Sequence, residues 1–407
     1  MTPPRLIALL TVVEILAVLP TMGFPALVPQ FSQAWGLTAG EAGWILGSMF
    51  ISYMLAVPFL VPLTDRIDAR LLVLAGTLLT GAANVGFALT AQGFWSACLW
   101  RFLAGIGVAL FYMPGLRALT DRVPEASKPR AITVYIGSYS FGAGLSLALV
   151  GYLEAALDWQ WAFILTGAGA LAAFLLTLLL LAPKPPTAPA GMAPRHPLDF
   201  RAVFANRRAL VYILAGGTHS FEFAIMRNWM TAFMAFVLAW HGFGSALGLG
   251  AADIAALTTL TVLPASMVGG ELARRFGQRN LIVGVMVLSF AVACTGGLAA
   301  ATSVWFAVAF VFAHTFTVAL DQGALGGGAI AAARPGEVGQ VMTLLTTCNW
   351  LGVAAGPIAA GLVFDLLGGP TQPAVWGWGY ALAGFVPLLG GAMLLFLLPR
   401  EPAGTAP

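Results

Sequence analysis

Seven ionisable residues sit inside long apolar runs of the chain: Glu14, Arg101, His219, Glu222, Arg227, His314 and Asp321. An ionisable group at the centre of a membrane helix costs about 2.5 to 3.5 kcal/mol on insertion scales, so such residues usually face a bundle interior or a polar cavity. One or more of Glu14, Glu222 and Asp321 would take up and release a proton, because desolvation and a nearby guanidinium act in opposite directions on a carboxyl. Arg101 and Arg227 could hold a carboxylate or similar anion by paired hydrogen bonds. At helical spacing His219 and Glu222 share a face, so one can bias the other's protonation; Arg227 points elsewhere on the same cylinder. His314 and Asp321 lie two turns apart along one stripe. The competing reading is structural: the same groups could pair and hold helices together.

The elements that must carry these residues follow from composition. The 407 residues are 59% hydrophobic and 9% charged, against roughly 25% charged in a soluble domain. That excludes a water-covered fold, and the 48 glycines suit helices that approach closely in lipid. Cys98, Cys294 and Cys348 are isolated, so neither a metal site nor a disulfide framework is expected. The net charge of +3 is scattered over short loops and points to no nucleic-acid partner. The apolar stretch from Leu6 to Val28 has no small-residue cleavage site and reads as a first membrane helix rather than a signal peptide.

A span needs about 20 apolar residues. The runs between charged or Pro/Gly-rich breaks predict helices over 6–29, 41–62, 71–92, 95–116, 131–153, 161–182, 209–240, 250–270, 280–300, 303–332, 338–363 and 377–398. Lys and Arg are retained on the cytoplasmic side. With twelve spans and an internal N-terminus, all of the 19 basic residues except Arg101 and Arg227 fall on that side or at its edge. Both termini are therefore expected in the cytoplasm.

Residues 183–208, rich in Pro and basic, read as a cytoplasmic linker between a bundle over 1–182 and a second over 209–407. The halves echo each other. Leu63 to Arg70 and Leu272 to Arg279 occupy equivalent loops, and Gly36 to Glu41 resembles Gly248 to Asp253 just before the second and eighth helices. Thr38 and Glu41 also have the spacing of an N-terminal capping box.

Val61 to Arg70 matches the pattern G-x-L-A-D-R-x-G-R-R at Leu63, Asp65, Arg66 and Arg70 and lacks both glycines; the second-half copy keeps Gly270, Leu272, Ala273, Arg275, Gly277 and Arg279, with Arg274 in the acid's place. Arg101 to Ala109 fits R-x-x-x-G-x-G-x-A, and Trp159 to Phe163 is similar to W-R-W-x-F. These motifs identify a resemblance, over nearly the whole chain, to the major facilitator superfamily of secondary transporters. The drug/proton antiporter motif G-x-x-x-G-P-x-x-G-G lacks its proline at Gly137 to Gly144, although a fragment, Gly352 to Pro357, occurs on the eleventh helix.

The resemblance implies an all-α membrane fold of two pseudo-symmetric six-helix bundles, with helices 1, 4, 7 and 10 lining a central cavity. The seven ionisable residues lie on those four helices. It also implies a conformational latch formed by Asp65, Arg66 and Arg70 with Arg275 and Arg279, and helix packing at Gly105, Gly107, Gly352, Gly356 and Pro357.

The expected function is a secondary active transporter working by alternating access, proton-coupled, moving a small anionic solute. It would use the proton gradient and no cofactor. Its partners would be a small-molecule or ion substrate and the lipid bilayer, with the protein a monomer in the inner or plasma membrane of a bacterium. Efflux of amphipathic drugs or metabolites is the alternative within transport, and a non-transporting membrane sensor the alternative outside it. No nucleophile–base pair, metal-ligand cluster or phosphate loop points to an enzyme.

Overall fold

A computed structural model describes residues 2–60, 62–185, 200–334 and 336–398. Twelve helices among them are long and apolar enough to cross a membrane. They are α1 Pro3–Ala26, α2 Ala39–Leu60, α3 Ala69–Thr90, α4 Phe94–Thr120, α5 Lys128–Ala156, α6 Trp159–Leu180, α7 Arg207–Trp240, α8 Ala251–Phe276, α9 Gln278–Thr302, α10 Val304–Ala331, α11 Val338–Leu366 and α12 Pro373–Leu397. Among the described residues only one isolated β-bridge, Ala246 with Leu249, interrupts the all-helical order.

Polar residues stop and start these helices as helix termini require. The Asp158 carboxylate accepts from Trp161 N at 2.8 Å, Asn206 Oδ1 from Ala209 N at 3.2 Å, and Ser303 Oγ from Phe306 N at 3.1 Å, each satisfying an amide that the first helical turn leaves open. The capping box before α2 is formed in both directions: Thr38 N donates to Glu41 Oε2 at 2.9 Å and Glu41 N to Thr38 Oγ1 at 3.1 Å.

Four of the predicted cylinders are broken among the described residues: α8 at Leu260 and Thr261, α9 at Cys294 and Thr295, and α1 and α10. In α1 a 3-10 segment, Leu19–Met22, follows the helix Pro3–Val18, because Pro20 lacks an N–H and its ring disturbs the preceding turn. In α10 the helix stops at Ala319 and resumes at Gln322, leaving Asp321 at the start of the second piece. No proline lies there. Instead α8 comes so close that a Cβ on Gly269 would stand 1.6 Å from the Leu320 carbonyl oxygen.

Two compact units emerge. Unit 1 comprises Met1–Leu37, Ser48–Met192 and Ala252–Leu260; unit 2 comprises Thr38–Gly47, Ala193–Ala251 and Thr261–Pro407. These bounds differ from a plain division at 182 and 209, since the start of α2 packs in unit 2 and the start of α8 in unit 1. Residues 186–199 of the expected linker lie outside the described residues.

Aromatic side chains fill the core of unit 1. Phe87 stacks on Phe163 with ring centroids 4.5 Å apart, Phe24 on Phe31 at 5.2 Å, and Trp159 meets Phe31 edge-on at 5.1 Å, arrangements favoured by the ring quadrupoles. Asn84 of α3 donates to the Phe163 carbonyl at 2.8 Å and to Thr166 Oγ1 at 2.9 Å, tying α3 to α6. In unit 2 Trp229, Phe233, Phe364, Trp376 and Tyr380 form the corresponding cluster.

Candidate functional site

In unit 1 the break in α1 sets the site. A 3-10 turn leaves helix carbonyls without their usual amide partners, and two neighbours take them: Ser146 Oγ of α5 donates to Leu19 O at 2.5 Å, and Arg101 Nη1 of α4 donates to Thr21 O at 2.8 Å. Arg101 is only 3% exposed, and its Nε and Nη2 donate to nothing. Two directed N–H groups of one buried guanidinium are thus left over, the geometry that suits a carboxylate or other planar anion.

Glu14, one turn and a half before the break, is fully buried and neither carboxylate oxygen accepts a hydrogen bond. The Tyr135 phenol beside it donates instead to the Tyr112 carbonyl at 3.0 Å. Tyr53 and Tyr112 also stand within electrostatic reach of Glu14, and Tyr112 packs on Tyr139 at 5.0 Å. Gly115 makes the room, since a Cβ there would lie 2.1 Å from Tyr135 Oη. These tyrosines were not among the residues expected at the site. Their signal in the sequence is weak, because a tyrosine on an apolar helix reads equally well as packing.

The other five ionisable residues belong to unit 2. His314 Nε2 lies 2.9 Å from Glu222 Oε1, which also accepts from Ser289 Oγ at 2.7 Å. His219 Nδ1 lies 2.9 Å from Asp321 Oδ1. The pairing therefore crosses between α7 and α10. His219 and Glu222 share a face as expected, yet each is matched to a residue of α10 rather than to the other, and the break at Leu320 and Asp321 replaces the continuous stripe expected for His314 and Asp321. All four are buried. Arg227 is half-buried further along α7, its guanidinium carbon 5.9 Å from the centroid of the Phe223 ring.

The expected latch residues bond as follows. Asp65 is 3.7 Å from Arg117, Arg70 Nη2 donates to Leu178 O at 2.8 Å, and Arg275 Nε meets Glu271 at 3.0 Å. Arg279 is buried and donates to Leu394 O at 2.9 Å and Leu395 O at 2.7 Å, the last carbonyls of α12; Arg66 is exposed. The hub of the loop is Asp68, which occupies a position where the family pattern has glycine. Its carboxylate accepts from Arg70 N at 2.9 Å, Arg122 Nη2 at 3.1 Å and Lys184 N at 2.7 Å. Burial pushes this carboxyl up, but the three bonds and the Arg122 charge outweigh it and hold Asp68 below its usual value.

The glycines expected to pack helices stand at close approaches. A Cβ on Gly105 would be 2.0 Å from Met49 O, and one on Gly107 2.2 Å from Thr80 Oγ1, so α4 meets α2 on one side and α3 on the other. Gly352 and Gly356 of α11 face Gly217 O and Phe221 O of α7, and the Pro357 carbonyl accepts from Trp229 Nε1 at 3.1 Å. Near one end of unit 1 lies a cavity of about 630 Å³ lined by Ile7, Ala8 and Thr11 of α1 and by Arg130 and Val134 of α5. The seven ionisable residues are not part of its wall. Among the described residues no group of His, Cys, Asp or Glu is arranged to hold a metal ion.

Twelve apolar helices carrying a few buried, specifically bonded charges define a polytopic membrane protein. The Major Facilitator Superfamily model matches residues 10–252 and 221–407, so the chain belongs to that family. The chain is 27% identical over 212 residues to protein spinster homolog 1 of Bos taurus, a match covering 50% of this chain and 39% of that protein; it spans about two fifths of that relative's length. It is 23% identical over 361 residues to the uncharacterized MFS-type transporter YceJ of Bacillus subtilis (strain 168), covering 83% of this chain and 84% of that one. A solved bacterial homologue of the human lysosomal transporter spinster, inward-facing and unoccupied, superposes with a TM-score of 0.74 at 16% identity, over 97% of this chain and 95% of that one.

Proposed function

We propose that the chain is a secondary active transporter that works by alternating access, couples to protons and moves a small anionic solute. The observation that carries the reading is Arg101: a guanidinium buried among apolar helices, pinned by one N–H to Thr21 O, with two donors open. Burying such a group costs free energy that an arriving anion offsets. Glu14 is the proton site we favour in unit 1, because a buried carboxyl without a cationic partner changes its charge only by exchanging a proton. The His314–Glu222 and His219–Asp321 pairs can change their proton content within unit 2. A conformational change that re-solvates any of these groups links proton occupancy to orientation. On this reading the proton gradient supplies the energy without a cofactor, both termini face the cytoplasm, and the protein acts as a monomer in the plasma membrane of a bacterium.

The test is uptake of small carboxylates and inorganic anions into proteoliposomes under an imposed pH gradient. The wild type accumulates its substrate; Glu14→Gln binds it but equilibrates it without accumulation. Full uphill uptake by Glu14→Gln removes Glu14 from coupling. A second reading, transport of amphipathic molecules, rests on the cavity of about 630 Å³ with apolar walls and Arg130 at its edge. Amphipathic anions competing better than short-chain ones of the same headgroup would favour it.

A further inference from the structure

The loop that follows α7 is apolar and held in a fixed shape. At the helix end Gly242 takes φ +73°, its amide donates to Ala239 O at 3.1 Å, and the next amide, Phe243 N, donates to Leu238 O at 2.8 Å. This is a Schellman ending, which occupies two terminal carbonyls and sets the direction in which the chain leaves. His241 Nε2 lies 2.9 Å from Ala300 O and ties the same end to α9. Further on, Ala246 and Leu249 exchange both backbone hydrogen bonds, each 2.9 Å, around Leu247 and Gly248. The two central residues have φ +54° and +75°, as in the type I′ turns that close two-residue hairpins, where Asn-Gly is preferred. Leu247 is the one residue other than glycine with positive φ among the described residues, and a bulky side chain is disfavoured there.

Strain of this kind persists where other interactions hold it in place and marks functional positions. The fold itself offers Leu247 no such return. Its side chain is 82% exposed, and a Cβ added at Gly242, Gly244 or Gly248 would meet nothing within 4 Å, so the loop stands clear of the rest of the molecule. Phe243 and Trp240 are each 51% exposed. Between His241 and Asp253 no residue is charged.

The length of α7 places this loop in depth. Its 34 residues exceed the roughly 20 that cross a hydrocarbon core, so one end projects. Arg207 and Arg208 open the helix, whereas residues 231–240 contain no charge. Charged side chains are costly in lipid and apolar ones in water. The basic end therefore projects, and the other end stays at the membrane interface, where tryptophans such as Trp240 are enriched. The exposed apolar loop is thus continuous with a helix end that already meets lipid.

We propose that residues 241–250 form an interfacial anchor. Phe243 and Leu247 insert among the phospholipids of the leaflet at which α7 ends, and they hold that helix end at a fixed depth. Burial of the leucine in lipid offsets the strain of its backbone. Asparagine at the same position would relieve the strain and be unable to insert.

The experiment uses the full chain in phosphatidylcholine nanodiscs with its three native cysteines replaced by serine. A spin label at Ser245→Cys, an exposed position between the two inserting residues, is read for collisions with oxygen, which concentrates in lipid, and with a nickel chelate, which stays in water. Labels at Leu175→Cys, exposed on α6, and at Glu125→Cys, exposed between α4 and α5, set the lipid and aqueous limits. With Leu247 in place the oxygen-to-nickel ratio lies toward the lipid limit. Leu247→Asn, which suits a left-handed backbone and not lipid, lowers it severalfold toward the aqueous limit, and Phe243→Ser acts in the same direction. A ratio at the aqueous limit with both residues intact overturns the anchor. So does exclusion of oxygen and nickel together with dipolar broadening between labels, which would put a second copy of the chain on the loop. A lipid-like ratio that Leu247→Asn leaves unchanged overturns the role given to Leu247.

Discussion

His314 Nε2 and Glu222 Oε1 are 2.9 Å apart, and neither residue is more than 2% exposed. Removing one partner of such a pair leaves the other buried and unmatched, which typically costs about 3 to 5 kcal/mol. Glu222→Leu and His314→Phe should each lower the thermal midpoint in detergent, and the double variant should regain most of the loss. Additive losses would show that the two side chains do not act as a pair.

Glu222→Gln keeps the shape of the side chain and the hydrogen bond from Ser289 while removing the charge. The variant should stay folded, bind substrate, and fail to accumulate it under a pH gradient. Retained uphill transport would take Glu222 out of the coupling machinery.

Arg101 predicts a different pattern. Lys replaces a rigid fork of donors by a single ammonium, so Arg101→Lys should lose about tenfold or more in anion affinity and keep its fold, because Lys can still reach Thr21 O. Isothermal titration with the transported anion reads this directly; unchanged affinity would contradict a two-donor clamp.

Asp68 gives the pH prediction. Its carboxyl is held below its ordinary value in the folded protein, so its contribution is complete above the unfolded pKa of about 3.9 and fades as pH falls through the lower folded value. Asp68→Asn should cost about 1.5 to 3 kcal/mol at neutral pH. Urea unfolding at several pH values should show the gap to wild type closing only in strong acid. A gap that persists unchanged there would mean the ionised carboxylate is not the stabilising species.

The glycines allow an internal control. Gly105→Ala forces a methyl to within 2.0 Å of Met49 O, whereas a methyl at Gly137 meets nothing within 4 Å. The first should destabilise by about 1 to 3 kcal/mol, and the second should be neutral or stabilising by up to about 1 kcal/mol. Equal effects on the thermal midpoint would argue against close packing of α4 on α2.

The twelve spans were legible because a run of about 20 apolar residues has few other uses, and the capping box at Thr38 and Glu41 because its spacing is a local rule. What escaped the sequence depends on distant partners. Nothing between Val304 and Ala331 marks a break; it coincides with the close approach of Gly269 on another helix. Two histidines and two acids allow several pairings, and only the placement of α7 against α10 chooses among them. Asp68 looked like a lost glycine and is instead the acceptor on which three chain segments meet.

The acceptor that pins Arg101 is the main-chain oxygen of Thr21, and every amino acid carries that atom. Replacing the threonine side chain leaves the guanidinium's perch in place, as long as Pro20 keeps the 3-10 turn that presents the carbonyl. A survey of variants that scored only side chains would pass over the group on which Arg101 depends.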